Sequence, residues 1–128
     1  MTQEEKQLLL IDLCARLPFG VMVSVQGNEF DFYKYPYQLT AISKFGLDSF
    51  CKVYHPVYTP FGVPKVEDVK PYLRPMSSMT KEECAFYFAI DESSATCIDW
   101  LNAHHFDYRG LIEKGLALEA PKDMYKTE

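Results

Sequence analysis

The sequence predicts an α+β domain: an N-terminal helix, a small curved antiparallel sheet, and C-terminal helices packed on that sheet. Three observations predict it. T-x-x-E boxes at Thr2/Glu5 and Thr80/Glu83 mark helix starts near the beginning and in the last third of the chain. Short alternating segments punctuated by glycine fill the space between them. Pro56, Pro60, Pro64, Pro71 and Pro75 then exclude a long helix from that region. At 128 residues the chain suits one domain, residues 1–128, with 121–128 expected to fray after Pro121.

The first helix follows its capping box. Leu8, Leu9, Ile11, Leu13, Cys14 and Leu17 cover most of its circumference, so it is expected to be mostly buried. Asp12 and Arg16 form an i,i+4 pair on the remaining polar strip, and Pro18 and Gly20 stop the helix. Val21 to Val25 alternates as a strand does, and Gly27-Asn28 suits a two-residue hairpin turn. That turn would set Val25 opposite Phe30 and Val23 opposite Phe32 on one apolar face.

Leu39 to Phe45 and Ser49 to His55 read as a second hairpin joined through Gly46 and Asp48. The proline-rich connection allows at most a short helical turn at Val66 to Lys70 and limits a central strand there. The second box starts a helix running to about Ile90, and Thr96 with Asp99 suggests a third start leading into Trp100 and His104. Gly110 and Gly115 bracket a turn through Leu111 and Ile112. A sheet of this kind could also curl into a partly closed, SH3-like barrel.

Formal net charge is −5, which gives no general attraction to phosphate backbones or anionic lipid. The basic residues are scattered, so nucleic acid is disfavoured as a partner. The opening MTQEEKQLLLIDL reads as neither a signal peptide nor a membrane span. Cys14, Cys51, Cys84 and Cys97 are far apart with no C-x-x-C pair, which favours reduced, packed thiols and a cytoplasmic setting.

Two stretches are distinctive, VEDVKPYLRPMSSMTKEE (66–83) and DWLNAHHFDYRGLIEKGLALEAPKDMY (99–125). They resemble a family of short proteins encoded in gut bacterial genomes and in their phages and mobile elements. The resemblance covers roughly the second half of the chain and suits the opening LLLIDLCARLPFGV as well. It implies an intracellular setting and an accessory role in phage or mobile-element biology. It carries over no activity, cofactor or catalytic residue.

The densest polar set is His104, His105, Asp107, Tyr108 and Arg109. Histidine there could act as metal ligand or general base with Asp107 as its orienter, and Cys51 or Cys97 could complete a zinc site. No H-x-x-x-H or H-E-x-x-H spacing preforms a ligand pair, however, and a capped helix end explains the same residues. The second feature is FDFYKYPY, in which Tyr33, Tyr35 and Tyr37 surround Lys34. Such aromatics serve packing first, a protein interface second, and base stacking last. Ser77 and Ser78 precede a capping threonine, without a G-x-S-x-G context or a phosphate-binding glycine loop.

The expectation that follows is a non-enzymatic interaction module with no cofactor, metal or catalytic residue, a monomer or homodimer that binds an as yet unidentified protein and no membrane. Its binding residues would be Tyr33, Lys34, Tyr35, Tyr37, His104, His105, Asp107 and Arg109. The alternatives are a small metal-assisted or thiol hydrolase using residues 104–109, and a single-stranded nucleic-acid binder using residues 30–37. Trp100, Leu101, Phe106, Leu111 and Ile112 are expected to be buried as a structural dock, with both histidines at the surface.

Overall fold

Helix at both ends around a run of antiparallel strands gives the α+β architecture that the sequence predicts. The computed structural model describes residues 2–25, 36–45, 48–54, 64–91, 94–122, 124 and 125. The strands follow the order β3-β2-β1-β4-β5 in an open sheet, so they do not close into a barrel. The chain forms two compact units, Met1–Tyr72 and Leu73–Glu128.

In the first unit, helix α1 (Gln3–Arg16) begins at the expected box. The Thr2 N–H donates to Glu5 Oε1 at 3.0 Å, and the Glu5 N–H donates to Thr2 Oγ1 at 3.1 Å. A 3₁₀ turn, Leu17–Phe19, follows and ends at Gly20, whose φ of +69° a side-chain-bearing residue rarely adopts. The expectation for the rest of α1 is overturned. Its buried residues are Leu9, Asp12, Leu13 and Arg16, whereas Ile11 is 46% exposed and Cys14 is exposed too. The polar strip therefore faces inward. Arg16 Nε donates to Asp12 Oδ2 at 2.9 Å, and mutual neutralisation is what lets both charges enter the core.

Strand β1 (Met22–Val25) alternates as read, with Val23 and Val25 buried. The Gly27-Asn28 turn, Phe30 and Phe32 lie outside the described residues. Val23, expected opposite Phe32, instead has Tyr37 of β2 (Tyr37–Phe45) on one side and Pro71 of β4 (Val69–Leu73) on the other. The second hairpin forms as read: β2 and β3 (Asp48–Tyr54) are antiparallel from Gln38↔Tyr54 to Phe45↔Asp48. One irregularity falls between Leu39 and Ala41, where the Thr40 hydroxyl donates to the Lys52 carbonyl at 3.0 Å.

A 3₁₀ turn, Val66–Asp68, occupies the expected short helical site, and β4 follows directly. Pro71 sits inside β4, contrary to the reading that prolines keep this region out of the sheet interior. Burial of Val69, Pro71 and Leu73 on one face explains why the strand tolerates one missing N–H donor.

In the second unit, α2 (Lys81–Ala89) starts at its box, with the Glu83 N–H donating to Thr80 Oγ1 and the Thr80 N–H to Glu83 Oε1. Helix α3 (Ala95–Ala103) begins one residue before Thr96, because Ser94, not Thr96, is its N-cap. Ser94 Oγ accepts the Cys97 N–H at 3.1 Å and donates to the Asp91 carbonyl. Ser94→Ala should accordingly cost about 1 kcal/mol and Thr96→Ala a few tenths. Urea denaturation of the two variants measures the contrast, and a larger cost for Thr96→Ala than for Ser94→Ala would place the cap at Thr96.

Cys97, Leu101 and Phe106 form the buried centre of this unit, with Met76, Met79, Tyr87, Ile90, Trp100 and Tyr108 packed around it. Gly110 and Gly115, at φ +74° and +75°, turn the chain back so that Leu111, Leu116 and Ala117 are buried. Strand β5 (Leu118–Glu119) then lies beside the end of β4, and the Ala120 N–H donates to the Leu73 carbonyl at 2.8 Å. Leu101, Phe106 and Leu111 are buried as expected, but Trp100 and Ile112 are only half-buried. Among the described residues no helix is long and apolar enough to cross a membrane.

Candidate functional site

The 104–109 segment is where helix α3 is stopped. The Phe106 N–H donates to the Leu101 carbonyl at 3.0 Å and the His105 N–H to the Asn102 carbonyl at 3.1 Å, the 6→1 and 5→2 bonds of a Schellman cap. His105 takes the left-handed position, φ +61°, where glycine is usual. Leu101 and Phe106, the residues that such a cap brings together, both belong to the buried cluster.

The segment's side chains then diverge. His104 is half-exposed, with its ring 4.6 Å from that of Trp100 and its Nδ1 3.7 Å from Glu83 Oε2. Burial holds its imidazole below the ordinary value. His105 is buried, not at the surface as expected, and stacks at 3.8 Å on Tyr125, so the segment after Pro121 is tied down at that residue. The Asp107 carboxylate accepts the Leu111 and Ile112 N–H groups at 2.8 and 3.0 Å, fixing the glycine-flanked turn. Arg109 Nη2 donates to Tyr108 Oη, which donates in turn to Asn102 Oδ1. Arg109 thus reaches the neighbouring phenol, and its guanidinium also lies 4.8 Å from the centre of the Tyr108 ring. His104 thus faces Trp100 and Glu83, His105 faces Tyr125, and Asp107 faces the Leu111–Ile112 main chain.

Arg74 and Glu83 form a two-pronged ion pair in this unit. The guanidinium donates from Nη1 to Oε2 at 2.8 Å and from Nη2 to Oε1 at 2.7 Å, and lies 4.2 Å from the centre of the Phe106 ring. This fork, together with the Thr80 N–H, holds the Glu83 carboxyl down at about 2. The Arg74 main chain bridges to the cap as well, its N–H donating to the His105 carbonyl and its carbonyl accepting from Asp107.

A cavity of about 700 Å³ opens beside this pair, lined by Arg74, Ser78, Thr80, Glu119, Lys122 and Tyr125 among others. Much of its polar lining is already engaged: Arg74 with Glu83, Ser78 Oγ with the Pro75 carbonyl, Thr80 Oγ1 with the Glu83 N–H. Cys97 lies in the apolar cluster, and Cys51 is buried in β3 with its thiol pushed up to about 12 by burial. Among the described residues no group of three or more His, Cys, Asp or Glu side chains could hold a metal ion.

Tyr37 is fully buried opposite Val23, which removes it from the proposed aromatic binding face. Tyr33, Lys34 and Tyr35 lie outside the described residues. Among the described residues, exposed aromatic side chains are found on α2, besides Phe19 and Tyr54 in the first unit. Of the six exposed residues of that helix, Lys81, Glu82, Ala85, Phe86, Phe88 and Ala89, four are apolar. Phe88 is 79% exposed and Phe86 44%, and the Phe86 ring lies 5.2 Å from that of Trp100 on α3. Ile98 adds further exposed apolar surface on α3. The signal was in the sequence: CAFYFA is apolar all round, and a nine-residue helix on a small core cannot bury every side of itself.

No family model, curated protein or solved structure matches the chain.

Proposed function

We propose that this protein is a non-enzymatic interaction module that docks another protein on the exposed aromatic surface of α2. The observation that carries this reading is the inverted exposure of the helix, with Phe86 and Phe88 facing water. Burying a phenylalanine side chain contributes roughly 1.5–3 kcal/mol, and exposed aromatics grouped on one element are characteristic of interfaces. The divergence of residues 104–109 supports a binder over a hydrolase. A cytoplasmic setting and an accessory role in phage or mobile-element biology belong to the same proposal, supported by the four free cysteines and the resemblance of residues 66–83 and 99–125.

Phe88→Ser tests the reading, because an exposed side chain can be removed without opening a cavity. The variant should melt within a few degrees of wild type and lose a bound protein by about tenfold or more in quantitative affinity capture. Identical captures by two folded baits would sink the reading.

A further inference from the structure

The segment that leaves β5 makes one wall of the cavity in the second unit, and three contacts hold it in place. The Ala120 N–H donates to the Leu73 carbonyl at 2.8 Å, and the Met124 N–H donates to the Pro121 carbonyl at 3.0 Å. The Tyr125 ring centre lies 3.8 Å from that of the buried His105. Glu119, Lys122 and Tyr125 are presented to the cavity by this pinned turn.

Glu119 and Lys122 are exposed, opposite in charge and three positions apart on the same cavity. Among the described residues, neither side chain makes an ion pair or hydrogen bond, with the other or with any third group. Arg74, Ser78 and Thr80 in the same lining are engaged, so these two charges are what the cavity offers. They are too far apart to pair directly and leave a gap that a ligand carrying both charges can bridge. Tyr125 adds the ring surface that His105 does not cover, and Pro75, Ala120 and Pro121 add apolar wall. At about 700 Å³ the cavity falls within the size range of pockets that hold small organic molecules.

That lining discriminates between ligands. An inorganic anion would meet Lys122 but be repelled by Glu119, a metal cation would meet Glu119 but be repelled by Lys122, and a hydrocarbon would desolvate both charges without replacing their water. An ammonium and a carboxylate on one molecule, beside a ring, satisfy all three groups. We propose that this cavity binds a small zwitterionic molecule with an aromatic ring, of the class of the free aromatic amino acids. Its ammonium meets Glu119, its carboxylate meets Lys122 and its ring packs on Tyr125.

Three compounds on one indole framework test this: L-tryptophan, indolepropionate, which lacks the ammonium, and tryptamine, which lacks the carboxylate. Titrations of the full chain are followed by proton–nitrogen correlation spectra. L-tryptophan should shift the Glu119, Lys122 and Tyr125 amides and bind at least about fivefold more tightly than either analogue, since each partly solvated ion pair contributes modestly. Glu119→Gln should weaken L-tryptophan and tryptamine by about fivefold and leave indolepropionate unchanged. Lys122→Gln should weaken L-tryptophan and indolepropionate and leave tryptamine unchanged. Both side chains are exposed, so neither variant threatens the fold. L-alanine, which lacks the ring, should bind at least about tenfold more weakly than L-tryptophan. Phe88→Ser should bind L-tryptophan as wild type does, which keeps this site separate from the docking surface of α2. Equal binding of the three indoles, or L-tryptophan binding insensitive to either glutamine variant, would overturn the proposal. Shifts centred on Phe86 and Phe88, or no saturable shift at concentrations on the order of 10 mM, would overturn it as well.

Discussion

Arg16→Ala should destabilise the protein by about 3–5 kcal/mol, and Asp12→Ala by a similar amount. Both side chains are fully buried, and each deletion leaves the other charge inside the core without its 2.9 Å partner. The cost is therefore mostly desolvation of the survivor and not the loss of an attraction. A helical i,i+4 pair exposed to water would instead contribute about 0.3–0.5 kcal/mol. The double replacement Asp12→Leu/Arg16→Met, apolar and of similar bulk, should recover most of the loss. Urea denaturation followed by circular dichroism, arranged as a double-mutant cycle, measures this. Single variants within about 0.5 kcal/mol of wild type would mean that the polar strip of α1 faces water after all.

The second large effect belongs to Glu83. Its carboxyl titrates at about 2 in the folded protein, below its ordinary 4.5, because Arg74 binds the ionised form. A lowered carboxylate stabilises the fold fully above its unfolded value, so the contribution is complete above about pH 4.5 and is lost as pH falls toward 2. The difference corresponds to stabilisation on the order of 3 kcal/mol. Glu83→Gln should lower the melting temperature at pH 7 and flatten its dependence on pH across that window. Arg74→Ala should cost about 3–5 kcal/mol at pH 7, since it also leaves a nearly buried carboxylate behind. Parallel melting curves for wild type and Glu83→Gln between pH 5 and pH 2.5 would show that the fork contributes nothing.

What was legible in the sequence was local chemistry. Thr2/Glu5 and Thr80/Glu83 announce helix starts because both halves of each cap lie within four residues, and the β2/β3 hairpin follows from alternation on either side of Gly46. What was not legible depends on which way an element is turned. Asp12 and Arg16 form the same i,i+4 pair whether the strip faces water or core, and only the burial of Leu9 and Leu13 beside them decides it. Tyr37 reads as interchangeable with Tyr33 and Tyr35, suited to packing or to an interface alike, until β2 is placed against β1, which puts it opposite Val23 and inside. Ser94 lacks the acidic residue three positions on that makes Thr96 look like the cap, yet its hydroxyl closes the helix alone. The α3 stop carries histidine where glycine would have signalled a left-handed residue, so His105 read as surface chemistry and not as backbone.

The position of Trp100 has a consequence for how the protein can be observed. It is the only tryptophan, it sits half-buried in the second unit, and it is surrounded by Phe86, Tyr87, His104 and Phe106. Indole emission is therefore a built-in optical label for residues 73–128 alone, sensitive to the wetting of one aromatic cluster. Far-ultraviolet dichroism, in contrast, sums α1 and the β1–β3 strands with α2 and α3. An unfolding curve read by fluorescence reports the second unit and the dichroism curve beside it reports both, so a gap between the two curves is the signature of the first unit unfolding apart from the second.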